Sequence, residues 1–221
     1  MFKELFNLIK SDSLYEQALD RCYQMLDIDS QMFNESINSL RNSDTAEIPI
    51  DIFEMDKEIN AFEREVRRKI MTHLSISGTK DLGSGLILIS VVIDIERIGD
   101  YTKNIYELAI NHPKKLQGFD FEEKLSEVEV NTKKLFTSTI DAFKNQDVEL
   151  GRQLMIDYKE GISKPCDEIT NAIIAGKANI EADSATAVAL YARYLKRISA
   201  HSRNLISSIV NPFERIGYPE K

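Results

Sequence analysis

Long segments with helical periodicity constrain this chain more than any other feature of its sequence. Helix-breaking residues are scarce, with nine glycines and five prolines among 221 residues, and they gather between the periodic segments. Within a segment, apolar residues recur every three or four positions, and no stretch alternates convincingly as a strand would. One such seam runs through Ile52, Ile59, Phe62, Val66, Ile70 and Leu74. The chain is therefore predicted to be all-α.

Six helices are predicted from the periodic segments and the turn signals between them. Their approximate ranges are 13–40, with an interruption near 27–30 left open, 51–75, 79 or 81 to 112, 121–145, 148–175 and 184–208. In the fifth, Pro165 removes the amide that would bond to the Gly161 carbonyl, so a kink is expected there. Long helices with short connections are typical of antiparallel bundles. The predicted architecture is two tandem three-helix bundles, at residues 1–115 and 116–221.

Charge, cysteine content and hydropathy bear on the class of protein. A net charge of −8 opposes broad binding to nucleic-acid phosphates. Two cysteines, Cys22 and Cys166, provide no disulfide framework and fit a reducing compartment. The opening segment MFKELFNLIK lacks the apolar stretch of a signal peptide, and the longest apolar run, Gly85 to Ile93, is too short to span a bilayer. A cytoplasmic protein is expected, with any membrane contact made through a partner.

A diverged internal repeat links the two halves. The segment DIERIGDYTKNI at 94–105 is followed one hundred residues later by YLKRISAHSRNL at 194–205. Scaffold positions agree between the copies, but the acidic pair Glu96 and Asp100 does not recur. Its positions are taken by Lys196 and Ala200. If the acids form a site, only the first half retains it.

Two polar stripes predict where the acids of the first half meet. Glu96 and Asp100 continue the aliphatic seam of the third helix, while Asp56, Asn60 and Glu63 share one face of the second. If these helices pack antiparallel, their carboxylates converge and repel unless a positive charge lies between them. That charge is either a metal ion or an Arg or Lys side chain, and spacing leaves both open. Oxygen ligands without His or Cys favour Mg²⁺, Ca²⁺ or iron.

Catalytic patterns are not found in the sequence. None of the three histidines, His73, His112 and His201, follows an acid at the Glu-x-x-His spacing of di-iron bundles. A Gly-rich phosphate loop, a nucleophile elbow and a zinc-binding cysteine pattern are all missing. A helical histidine could serve phosphotransfer, but a plain surface role is the commoner one. An enzyme is not predicted.

The third-helix segment resembles the signature of the PhoU family. That signature is a D-L-R opening, an aliphatic run, E-R-I-G-D and then N-I-x-E; here Gly83 stands where the arginine is usual. The second helix is also similar, with Asn60 in place of an aspartate. The matching residues are Asp81, Leu82, Glu96, Arg97, Ile98, Gly99, Asp100, Asn104, Ile105 and Glu107 in the third helix, and Asp56, Ile59, Glu63, Glu65 and Val66 in the second.

The resemblance implies a function as well as a fold. PhoU-like proteins are cytoplasmic two-bundle proteins, commonly dimers, that regulate phosphate uptake with a phosphate ABC transporter and a sensor histidine kinase. Two other roles stay open, an accessory subunit of another phosphate permease and a metal-binding helical bundle with no phosphate role. Some family members bind metal through the acids of these two helices. Carried over, the candidate ligands for one iron, zinc or magnesium ion are Asp56, Asn60, Glu63, Glu96 and Asp100. In the second half, Lys196 is expected to supply a fixed ammonium instead.

Overall fold

The computed structural model describes residues 13–112 and 114–220, apart from the side chain of residue 157. The opening segment MFKELFNLIK and Pro113 lie outside the described residues. Seven α-helical segments in this described part of the chain form an all-α bundle, which confirms the predicted fold class. They are α1 (Leu14–Asn42), α2 (Ile52–Ser77), α3 (Leu82–Asn111), α4 (Glu122–Asn145), α5 (Val148–Tyr158), α6 (Lys164–Ile174) and α7 (Ala182–Val210). Short 3₁₀ turns occupy Gly78–Asp81, Phe119–Phe121 and Phe213–Arg215.

The first helix is continuous, so the interruption left open near 27–30 is not present. It begins with a capping box, in which the Ser13 hydroxyl accepts from the Glu16 amide at 3.1 Å and Glu16 accepts from the Ser13 amide at 2.8 Å. Leu26 and Met32 on either side of the questioned segment are fully buried. Tertiary packing of these side chains therefore stabilises the helix across a segment that is rich in aspartate.

The predicted kink in the fifth helix is a π turn at Lys159–Ser163, which joins α5 to α6. Pro165 lies in the first turn of α6. The Gly161 carbonyl, left without the amide of residue 165, accepts a hydrogen bond from the Asn131 side chain at 3.1 Å. The backbone thus stays satisfied while the helix widens by one residue.

The two halves pack as one body around a continuous apolar core. In the first half α1 packs on α2 and α3, in the second half α7 packs on α4, α5 and α6, and α3 packs directly against α7. Phe33 of α1 also meets Phe136 of α4 edge-on, with ring centroids 5.8 Å apart. The division at residues 115 and 116 stays a prediction. Among the described helices, none is both long and apolar enough to cross a membrane.

Candidate functional site

The polar stripes of α2 and α3 meet, and a lysine lies between two of their acids. α2 and α3 form a hairpin through the turn Gly78–Asp81. The Lys103 ammonium donates to Asp56 Oδ2 at 2.9 Å and to Asp100 Oδ1 at 3.3 Å. Burial alone would lower the pKa of Lys103, but these hydrogen bonds raise it above its ordinary value, so the ammonium is charged. The sequence left open whether a metal ion or an Arg or Lys side chain supplies the positive charge between these acids. In the structure, the Lys103 side chain supplies it.

The other predicted ligands are engaged by neighbours rather than directed at a common centre. The Asn60 side-chain amide donates hydrogen bonds to the main-chain carbonyl of Asp56 at 2.9 Å and to Asp56 Oδ2 at 3.3 Å. Glu63 pairs with Arg67 at 2.6 Å. These contacts bring Asn60 to the cluster as a hydrogen-bond donor and tie Glu63 to its own helix.

Arg97 contacts both acids of the motif in α3. It donates to Asp100 Oδ2 at 2.8 Å and lies 3.5 Å from Glu96. Burial, then the charge of Asp100, raises the pKa of Glu96, and Arg97 only partly offsets these effects. Glu96 is therefore the least compensated of the four predicted carboxylates.

Asp29 of α1 is a member of this cluster that sequence reasoning missed. It is fully buried, and neither carboxyl oxygen has a hydrogen-bond partner among the described residues. Burial, followed by the charges of Glu96, Asp56 and Asp100, raises the pKa of Asp29 well above its ordinary value. Burial and these neighbouring charges therefore favour the protonated, neutral form of the carboxyl group. Its sequence signal was an aspartate four residues before Phe33 on an otherwise apolar seam.

Gly99 is required because Asp29 lies against it. A Cβ at this position would lie 2.7 Å from Asp29 Oδ1 and 2.9 Å from Ile59 Cδ1. The glycine of the E-R-I-G-D motif thus allows α1 and α2 to approach α3 closely. In the second repeat, Ser199 occupies this position and donates to the Thr132 hydroxyl at 3.2 Å.

As arranged here, the predicted ligands do not fit a metal ion. In the part of the chain that the structure describes, no three His, Cys, Asp or Glu side chains converge in a way that could hold one. Oxygen ligands lie roughly 2.0–2.6 Å from Mg²⁺ or Ca²⁺, whereas Asp56 and Asp100 are held by Lys103 at longer hydrogen-bonding distances. Binding of iron, zinc or magnesium stays a prediction.

The second half also has a lysine that binds an acid of the neighbouring helix. Lys196, at the repeat position of Glu96, donates to both carboxylate oxygens of Asp167 in α6, at 2.6 and 2.5 Å. Asp167 was not identified from the sequence. Both halves thus have a lysine from the third helix bound to an acid of the second.

A polar network joins the two halves where α3 meets α7. Asp94 accepts from His201 Nδ1 at 2.7 Å and from the Asn204 amide at 2.9 Å. Arg197 donates to Tyr101 Oη at 3.2 Å and lies 3.0 Å from His201 Nε2. Sequence reasoning missed this network, because its contacts between the halves join residues about one hundred positions apart.

Comparison with known proteins places the chain in a family. The model of the PhoU domain matches twice, at residues 22–109 and 125–209. The phosphate-specific transport system accessory protein PhoU homolog 1 of Thermotoga maritima is 25% identical over 213 residues, which cover 95% of this chain and 87% of that protein. The PhoU homolog of Synechocystis is 29% identical over 103 residues, or 44% of this chain and 46% of that protein.

Solved structures show the same fold. PhoU from Pseudomonas aeruginosa superposes with a TM-score of 0.73 at 21% identity, covering 89% of this chain and 95% of that one. The phosphate transport system regulatory protein PhoU from Streptococcus pneumoniae gives 0.75 at 16% identity, with 88% and 92% covered. The resemblance seen in the sequence is thereby confirmed. The chain belongs to the PhoU family.

Proposed function

We propose that this protein regulates phosphate uptake and phosphate-responsive signalling as an adaptor. Its partners would be the ATPase of a phosphate ABC transporter or another phosphate transporter, and a sensor histidine kinase. The observation that carries the proposal is the double match to the PhoU domain. The likeness to a phosphate transport accessory protein over 95% of the chain supports it.

Three apolar side chains exposed near the turn between α2 and α3 support a docking role. Met71, Ile76 and Leu82 expose 64%, 78% and 43% of their surface there. Exposed apolar side chains of this size are available to be buried by a protein partner. We name these three residues the hairpin tip and propose that it contacts a partner.

Affinity purification from phosphate-replete and phosphate-starved cells tests the proposal. The wild-type chain should recover a transporter or kinase component in at least one state. The double substitution Met71→Ser, Ile76→Ser should reduce that recovery, whereas Val130→Ser, at a side chain of α4 that is 64% exposed, should not. Recovery of neither component in either state would contradict the adaptor role. Recovery of a different phosphate permease in both states, with no kinase and no ABC transporter component, would instead favour the alternative of an accessory subunit.

Four further properties belong to this proposal. The protein is expected to be cytoplasmic, to form a homodimer and to lack catalytic activity and nucleic-acid binding. Sedimentation of the purified chain tests the homodimer. Fractionation of cells with and without the partner tests whether the protein reaches the inner face of the membrane only through that partner.

A further inference from the structure

The carboxyl groups around α3 outnumber the positive charges directly paired with them. Asp29 from α1, Asp56 from α2, and Glu96 and Asp100 from α3 are electrostatic neighbours, and we call these four residues the acid cluster. Lys103 is the ammonium that joins α2 to α3 within it. Such a cluster is stable only with a cation among its oxygens or with protonated carboxyls.

Lys103 lies where a cation would be most stabilised. Its nitrogen bridges Asp56 Oδ2 and Asp100 Oδ1, at 2.9 and 3.3 Å, and its side chain is only 21% exposed. For a hard cation at the same point, these oxygens would have to move inward by roughly half an ångström to one ångström. Lys103 therefore neutralises these two carboxylates as a bound metal ion would. It also holds their oxygens too far apart to coordinate such an ion.

Two members of the acid cluster are not satisfied by Lys103. Asp29 is completely buried, and both its oxygens lack a hydrogen-bond partner in the described part of the chain. Glu96 makes no hydrogen bond within that part, and Arg97 is its one charged contact, at 3.5 Å. Buried carboxyl oxygens without partners, such as those of Asp29, are rare and costly. Glu96 is partly exposed, and its carboxylate would be available to a divalent ion together with Asp56 and Asp100 if the ammonium were removed.

We propose that Lys103 is a tethered cation that occupies a latent divalent-cation site formed by Asp56, Glu96 and Asp100, with Asp29 beneath it. This chain thus joins α2 to α3 through its own side chain rather than through a metal ion. The second half makes a comparable contact from a different position, because Lys196, at the repeat position of Glu96, binds Asp167 there and Ala200 stands in place of the second acid. The inference does not depend on the phosphate role.

Removal of the ammonium tests the proposal directly. The full chain and its variants are stripped with a chelator, and Mn²⁺ binding is measured by titration calorimetry and by elemental analysis after gel filtration. Wild type should retain well below one Mn²⁺ per chain. Lys103→Met should bind one Mn²⁺ per chain with a dissociation constant at least tenfold lower than wild type. Adding Glu96→Ala and Asp100→Ala to that variant should abolish the gain.

Two single substitutions control for charge and position. Lys103→Arg keeps a cation in place and should bind Mn²⁺ no better than wild type. Lys196→Met removes the ammonium that binds Asp167 in the second half, whose described residues hold no acid cluster, and should also gain nothing. A gain in Lys196→Met equal to that in Lys103→Met would show a general charge effect and overturn the proposal.

Equal Mn²⁺ affinity in wild type and Lys103→Met would also overturn it. If both bind one ion tightly, Lys103 does not occupy the site; if neither binds, the acid cluster is not a latent site. Should Lys103→Met not fold without metal, Lys103→Gln provides a second neutral variant. Its melting temperature should rise by several degrees with Mn²⁺, and that of wild type should not. Neither measurement involves phosphate or a partner protein, so failure of the adaptor role is a separate outcome.

Discussion

Replacing Asp29 by asparagine should make the stability of this protein less dependent on pH. In the folded chain, burial and the neighbouring carboxylates raise the pKa of Asp29 well above its ordinary value. In the unfolded chain an aspartate ionises near a pKa of about 3.9. Between these two values, unfolding releases a proton, so the folded state loses stability as the pH rises. Asparagine has a similar shape and no proton to release.

The size of the effect follows from proton linkage. A group whose pKa is higher in the folded chain than in the unfolded chain stabilises the fold fully at a pH below the unfolded pKa. This stabilisation is lost as the pH rises towards the pKa of the folded chain. The loss is about 1.4 kcal/mol for each pH unit. From about pH 5 to about pH 7, the free energy of unfolding of wild type should fall by up to about 3 kcal/mol relative to that of Asp29→Asn. The full fall is expected only if the carboxyl group of the folded chain stays protonated over this range. The buried asparagine amide also changes the free energy of unfolding, by an amount that does not depend on pH.

Urea unfolding followed by circular dichroism, in chelator-treated buffers across this pH range, measures the difference. Asp27→Asn is a matched control, because Asp27 is exposed on the same helix and pairs with Lys144 at 2.6 Å. Its effect should stay below about 0.5 kcal/mol without a trend. If the free-energy difference between wild type and Asp29→Asn were the same at both ends of the range, the argument from burial would be refuted.

Two further predictions concern packing and buried thiols. Gly99→Ala should destabilise the fold by about 1–3 kcal/mol, because the added Cβ would meet Asp29 and Ile59 at 2.7 and 2.9 Å; urea unfolding measures this, and a neutral result would show that the helices can separate freely. Cys22 and Cys166 should react with a maleimide only after unfolding, because burial raises the pKa of both thiols, that of Cys166 to about 12. Fast labelling of either cysteine in the native protein would contradict its burial.

Much of the fold could be predicted from local patterns. Apolar spacing, caps and turn residues determine where a helix begins and ends, and the pair Gly161 and Pro165 located the irregular turn. The continuity of α1 could not be predicted in this way. Local propensity argues against a helix through its aspartates, and only the tertiary contacts of Leu26 and Met32 outweigh that preference.

The candidate site could be predicted only in part. The stripes of α2 and α3 share a face by spacing alone, so the meeting of Asp56 and Asp100 was accessible. Lys103, three residues after Asp100, could have been found by the same rule. The seam of α1 could have indicated that Asp29 is buried. Its approach to the acids of α2 and α3 could not be predicted, because it depends on how α1 is rotated against the hairpin, which no local pattern specifies.

The contact between α3 and α7 has a consequence for how this chain can be divided. Asp94 receives both of its hydrogen bonds from α7, through His201 and Asn204. A fragment ending after the first repeat would leave that carboxylate, and the apolar surface beside it, facing water. A fragment holding either repeat alone should therefore pair with a second copy or precipitate, and the smallest unit that folds alone is one containing both third helices.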